Sequence, residues 1–101
     1  MEHYDKICDD LWDDVECGPG ENPIVLKRAE HRLREILDDP RATTYVREKV
    51  LSTREQLRIW FSARRWDKQG DGGVSTKMYL QQDIEKVRQA CQVAFRSKEP
   101  T

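Results

Sequence analysis

From Asp39 to Trp66 the chain reads DPRATTYVREKVLSTREQLRIWFSARRW, without Gly and, after Pro40, without further Pro. At a helical advance of about 100° per residue, Val46, Val50, Leu57, Trp60 and Phe61 share one face and predict a core stripe. Tyr45, Ser52, Ile59 and Trp66 repeat every seventh residue on a second side. Arg47, Arg54, Arg58 and Arg65 fall within about 40° of one another, in a strip between the two rows. A surface helix needs one apolar face, so a helix with two either has neighbours on both sides or keeps one row for a partner.

The rest of the composition favours helices around this segment. Charged residues make up 37% of the 101 residues, as many as the hydrophobic ones, and five Gly and four Pro are too few for a turn-rich sheet protein. This length suits one domain with a single core. No stretch approaches a membrane span, and Glu2, His3 and Asp5 stand where a basic leader would begin, which predicts a soluble cytoplasmic protein. Cys8, Cys17 and Cys91 are odd in number and lack a secreted-type framework, so reduced thiols are expected.

The net charge of −1 conceals a polarity: residues 1–22 carry eight acids and one base, and residues 23–101 carry eleven acids and seventeen bases. An acidic front and a basic remainder can satisfy each other within one molecule or between molecules.

Read in order, residues 3–16 place Tyr4, Ile7, Cys8, Leu11 and Val15 on one stripe, with acids over most of the remaining surface. Asp13, Asp14 and Glu16 crowd the last turn, where the helix dipole disfavours negative charge, so a basic element should lie nearby. Gly18-Pro19-Gly20 is a loop, and Asn22-Pro23 is a cap-then-proline start for a second helix over about 23–38, with Leu26, Ala29, Leu33, Ile36 and Leu37 at helical spacing. Asp39-Pro40 repeats that signature and predicts a third helix over about 40–66. After a Gly-rich loop, Ser75 or Thr76 can cap a fourth helix over about 76–97, where Leu80, Ile84, Val87, Cys91 and Ala94 recur as a heptad, with Phe95 beside the last. Four helices with short connections predict an all-α, four-helix up-and-down bundle with a long central third helix.

Three constellations invite chemistry. The segment Asp67 to Met78, DKQGDGGVSTKM, resembles an EF-hand calcium loop: Asp67, Asp71, Gly72, Val74 and Ser75 fit the first, fifth, sixth, eighth and ninth positions. Gln69 and Met78 replace two carboxylates of that pattern, so the resemblance implies a degenerate calcium module. His3, Cys8, Cys17 and His31 are zinc-type ligands, but no Cys-x-x-Cys or His-x-x-x-His pair nucleates a site. No nucleophile stands beside a base and an orienting acid, and the acidic neighbour Glu16 does not activate Cys17. The expectation is therefore a protein with no catalytic residues, no metal and no cofactor.

The third helix carries the functional expectation. Its arginines make a rod of positive charge roughly 27 Å long. Such a rod suits phosphate backbones, an acidic partner, or the acidic first helix of the same chain, whose Asp5, Asp9, Asp13 and Glu16 also form a strip. The row Tyr45, Ile59 and Trp66 is either covered by the first or fourth helix or joins the arginines in an interface, since Trp, Tyr and Arg often dominate binding energy. The leading reading is a small protein acting by protein–protein binding (adaptor, accessory subunit, regulator or inhibitor) through Tyr45, Arg47, Arg54, Arg58, Ile59, Arg65 and Trp66. A nucleic-acid-binding regulator using the same arginines is the second reading, and homo-oligomerisation fits the long heptad.

Overall fold

A computed structural model of the chain describes residues 3–18, 20–62 and 74–96. They form four helices, α1 (His3–Val15), α2 (Pro23–Leu37), α3 (Thr44–Trp60) and α4 (Val74–Arg96), with no strand among the described residues. No helix among them is long and apolar enough to cross a membrane.

Local chemistry sets the helix boundaries. The side chain of Asn22 accepts from the Val25 N–H at 3.3 Å with Pro23 in the first turn, so α2 starts as its sequence predicts. The third helix does not. Asp39 does make a cap-like bond, its Oδ1 accepting from the backbone N–H of Arg41 at 2.8 Å, but the chain closes only one turn, with Ala42 N–H on Asp39 O at 2.9 Å, before the helix proper starts at Thr44. The Arg41 guanidinium also donates to Asp39, at 3.1 and 3.0 Å, and stacks over the Phe95 ring at 4.3 Å. Residues 39–42 are thus a turn tied to α4, and Thr43 caps α3 by accepting from the Val46 N–H. The predicted continuation over 63–66 lies outside the described residues. Within them α4, with 23 residues, outlasts α3, with 17, and begins ahead of Ser75 and Thr76.

Apolar periodicity becomes packing. Tyr4, Ile7, Cys8, Leu11 and Val15 of α1 are buried, as are Val46, Val50, Leu57 and Trp60 of α3 with Phe61 just beyond it, and the α4 heptad Leu80, Ile84, Val87, Cys91 and Ala94. In α2 the fully buried residues are Ala29, Leu33, Ile36 and Val25, while Leu26 and Leu37 are half-covered at the edge. Each fully buried Leu, Ile or Val contributes about 1.5–3 kcal/mol of transfer free energy. Thr53 is buried inside this core, and its hydroxyl donates to Lys49 O at 2.9 Å, which removes the penalty for hiding it. The helices neighbour one another in a ring: α1 packs on α2 and α4, and α3 packs on the same two. Having two neighbours is therefore shared by all four helices and does not single out α3.

Trp60 closes one end of the ring. Its buried indole donates to Val15 O at 2.9 Å, and its own carbonyl accepts from the Gly20 N–H at 3.1 Å, so the loop after α1 is fastened to the end of α3. Gly18 lies against the indole, where a Cβ would stand 2.4 Å from Nε1. Gly18→Ala is expected to lower stability by about 1–3 kcal/mol through overpacking, read as a lower urea midpoint with an unchanged slope; an unchanged midpoint would contradict this packing. A second prediction concerns the thiols: burial pushes both Cys8 and Cys91 up to about 12, while Cys17 is exposed. A thiol reagent at neutral pH should modify Cys17 alone in the folded protein and all three cysteines in denaturant.

Candidate interaction surface

The acids of α1 do not dock on the arginines of α3. Asp14, only 2% exposed, accepts from Arg28 Nε and Nη2 at 3.2 and 2.8 Å and from Arg32 Nε at 3.1 Å, both arginines belonging to α2. Arg32 Nη1 also donates to Asp10 at 2.9 Å. On the other flank Arg88 of α4 donates to Asp5 Oδ1 at 3.1 Å and Asp9 Oδ1 at 2.6 Å, and Lys77 donates to Glu16 at 2.6 Å. The basic surroundings expected at the end of α1 are present, supplied by the second and fourth helices. The geometric reason is the ring: the acids flank the α1 core stripe on the two sides where α2 and α4 lie, and α3 sits across the core.

These contacts move the ionisation equilibria in the direction that holds the charges. Hydrogen bonding to Asp14 raises the Arg28 pKa. Burial works against the Arg88 charge, but Asp9 and Asp5 more than offset it. The hydrogen bond from Lys77 lowers the pKa of Glu16.

With α1 satisfied elsewhere, the α3 arginines divide. Arg58 reaches Glu30 of α2, donating from Nε at 2.9 Å, with Nη2 at 2.8 Å from the same oxygen. Arg47 is exposed and, among the described residues, has no ion pair. Arg54 is half-buried, and its Nε is sealed from solvent with no hydrogen-bond partner among the described residues. Arg54 and Arg58 line a groove of about 620 Å³ between α2 and α3, joined there by Lys27, His31 and Arg34. Glu30 and Asp38 share the groove, the former held by Arg58 and the latter 3.9 Å from Arg34.

The second row goes to the other flank. Tyr45 is 56% exposed and packs its ring beneath Lys49 Nζ at 5.3 Å, and Ile59 is half-exposed, so neither is taken into the core. Tyr45 lines a separate groove of about 420 Å³ with Ala90, Val93 and Ala94 of α4. Of the seven residues expected to act together, Arg54 and Arg58 line the groove towards α2 and Tyr45 the one towards α4. Arg65 and Trp66 lie outside the described residues, as does the loop 67–73 that carries most of the EF-hand resemblance. His3 sits 3.0 Å from Glu35 and Cys8 is buried, so the zinc-type residues are dispersed. Among the described residues no group of three or more His, Cys, Asp or Glu is placed to hold a metal ion.

The cationic row Lys27, His31 and Arg34 is missing from the sequence reading, which takes His31 only as a zinc-type residue, although the four-then-three spacing marks one face of a helix. No protein-family model matches the chain, and neither does any curated protein or solved structure compared with it. Replacing the buried carboxylate probes the linkage of α1 to α2. Asp14→Ala should cost about 2–3 kcal/mol, below the range for fully buried pairs because Arg28 is half-exposed, whereas Asp13→Ala on the exposed face should stay within about 0.5 kcal/mol. Equal unfolding midpoints for the two variants would refute that role.

Proposed function

We propose that this chain is a single-domain, non-enzymatic cytoplasmic protein that works by binding another protein, and that the α2–α3 groove receives an acidic segment of that partner. An adaptor, an accessory subunit and an inhibitor of a larger assembly all operate in this way. Contacts at both ends of α1, His3 with Glu35 and Asp14 with Arg28 on α2, Tyr4 with Phe95 and Glu16 with Lys77 on α4, run in opposite chain directions and support an up-and-down bundle as the scaffold.

The observation that carries the reading is Arg54. A buried donor without a partner costs about 1–3 kcal/mol, and a turn of the half-buried Arg54 side chain into the groove it lines would let a partner's carboxylate remove that cost with a charge-assisted hydrogen bond. Lys27 and Arg34 beside it add positive potential, and the Arg58 fork is already oriented by Glu30. The same groove argues against the nucleic-acid reading. Glu30 and Asp38 interrupt the cations, and a continuous phosphate backbone would meet both carboxylates, whereas a peptide presenting one or two acids need not.

Affinity capture from source lysate with wild-type protein and Arg54→Glu, each with and without nuclease, tests this. A protein partner should survive nuclease on the wild type and fall by about tenfold or more on the variant, with the circular dichroism melt unchanged. Capture abolished by nuclease would favour the arginine strip as a nucleic-acid surface. Equal capture by both proteins would remove the groove from consideration.

A further inference from the structure

We propose that α4 pairs antiparallel with α4 of a second copy of this chain, about a twofold axis passing between Glu85 and Lys86. This goes beyond the α2–α3 groove and uses the opposite side of the ring.

The outward face of α4 is unlike the rest of the surface. Met78, Gln82, Glu85, Lys86, Gln89 and Val93 fall within about 100° of one another, a strip some 24 Å long at a rise of about 1.5 Å per residue. Met78 is 56% and Val93 75% exposed, while Gln82, Lys86 and Gln89 are exposed and Glu85 is half-exposed. Two charges in six positions, both at the centre, contrast with surfaces elsewhere on α1 and α2 that are crowded with ions. Hollows flank the strip on both sides: one of about 450 Å³ towards α1, where Trp12 meets Met78, and the groove towards α3, where Tyr45 meets Val93. Lys86 and Gln89 line both, so α4 stands as a ridge between two depressions, the relief that helix pairing uses.

The order of residues along the ridge says what covers it. Turned end for end about its midpoint, the strip maps onto itself: Met78 faces Val93 of the second copy, Gln82 faces Gln89, and Glu85 faces Lys86. Apolar residues meet apolar residues, the primary amides can donate to and accept from each other, and the two charges among these six positions meet as opposites. A parallel pairing in register would set Lys86 against Lys86 and Glu85 against Glu85. Among the described residues Lys86 has no ion pair, and Glu85 pairs with Arg88 alone, at 3.4 Å, whose shorter bonds go to Asp5 and Asp9. Lys86 is therefore open to a partner, and Glu85, held by one long contact, can turn to one.

Sedimentation equilibrium on the full chain, from micromolar to millimolar concentration, tests the pairing. Wild type should show a reversible monomer–dimer equilibrium. Lys86→Glu, which places carboxylates against one another at the axis, and Val93→Asp, which breaks the apolar ends, should each raise the dissociation constant by about tenfold or more, with unchanged helical circular dichroism. The double exchange Glu85→Lys with Lys86→Glu should restore wild-type affinity, because the opposite charges still meet. A monomer at all concentrations, or a dimer indifferent to Lys86→Glu and Val93→Asp, overturns the proposal, and failure of the double exchange to rescue overturns the antiparallel register. Arg54→Glu should leave this equilibrium unchanged, which separates the α4 face from the α2–α3 groove.

Discussion

A carboxylate removed from water must be met by cations, and Asp14 dictates where the first helix can lie. Arg28 and Arg32 approach it from α2 at hydrogen-bonding distance. On its far flank α1 presents Asp5 and Asp9 to Arg88 of α4. The first helix is thereby held between the second and the fourth by charge on both edges and by Leu11 and Val15 beneath. Pairs of this kind are weak contributors to net stability but strong determinants of arrangement, because a misplaced α1 would leave Asp14 buried without a counter-charge. The consequence reaches α3. Acids committed to α2 and α4 cannot neutralise Arg47 and Arg54 across the core, and the cationic character of the α2–α3 groove follows from a decision made on the other side of the molecule.

Apolar packing and polar fastening divide the work of positioning. The core stripes fix which face of each helix turns inward, and they tolerate sliding along the axis. Axial register comes from directional contacts, among them the Trp60 indole on Val15 O and the Arg41 stack on Phe95. Both tie residues near helix ends to a neighbouring helix or to the loop beside it, where a shift of one turn would forfeit the hydrogen bond or the ring contact.

Much of this was legible from periodicity. The buried faces of α1, α3 and α4 follow from Ile7, Leu11, Val50, Leu57, Ile84 and Val87 at helical spacing, and Asn22-Pro23 marks its boundary because cap and proline act within a few residues. Asp39-Pro40 carries the same two residues and closes only one turn, because the Arg41 side chain pairs with the Asp39 carboxylate and stacks on Phe95, and Thr43 caps the helix instead. A side-chain competition of that sort is invisible to a residue-type signature. Charge placement was legible in kind and open in partner: the row of acids on α1 is plain, but two basic rows were available to it besides that of α3, and only the arrangement of helices selects between them. For the same reason Lys27, His31 and Arg34 gain meaning only when α2 is set beside Arg54. The α4 strip was legible in composition, yet its outward direction had to be seen before its internal symmetry could matter.

The link between Asp5 and Arg88 spans 83 residues of chain, and that separation bears on how the molecule is made. During synthesis α1 emerges long before α4 exists, while the arginines of α2 arrive soon after it, so the α1–α2 pair can assemble locally and the ring is completed only when α4 is released. A first helix rich in aspartate suits that interval: its charged flanks keep it hydrated while its apolar stripe waits for the last wall of the core.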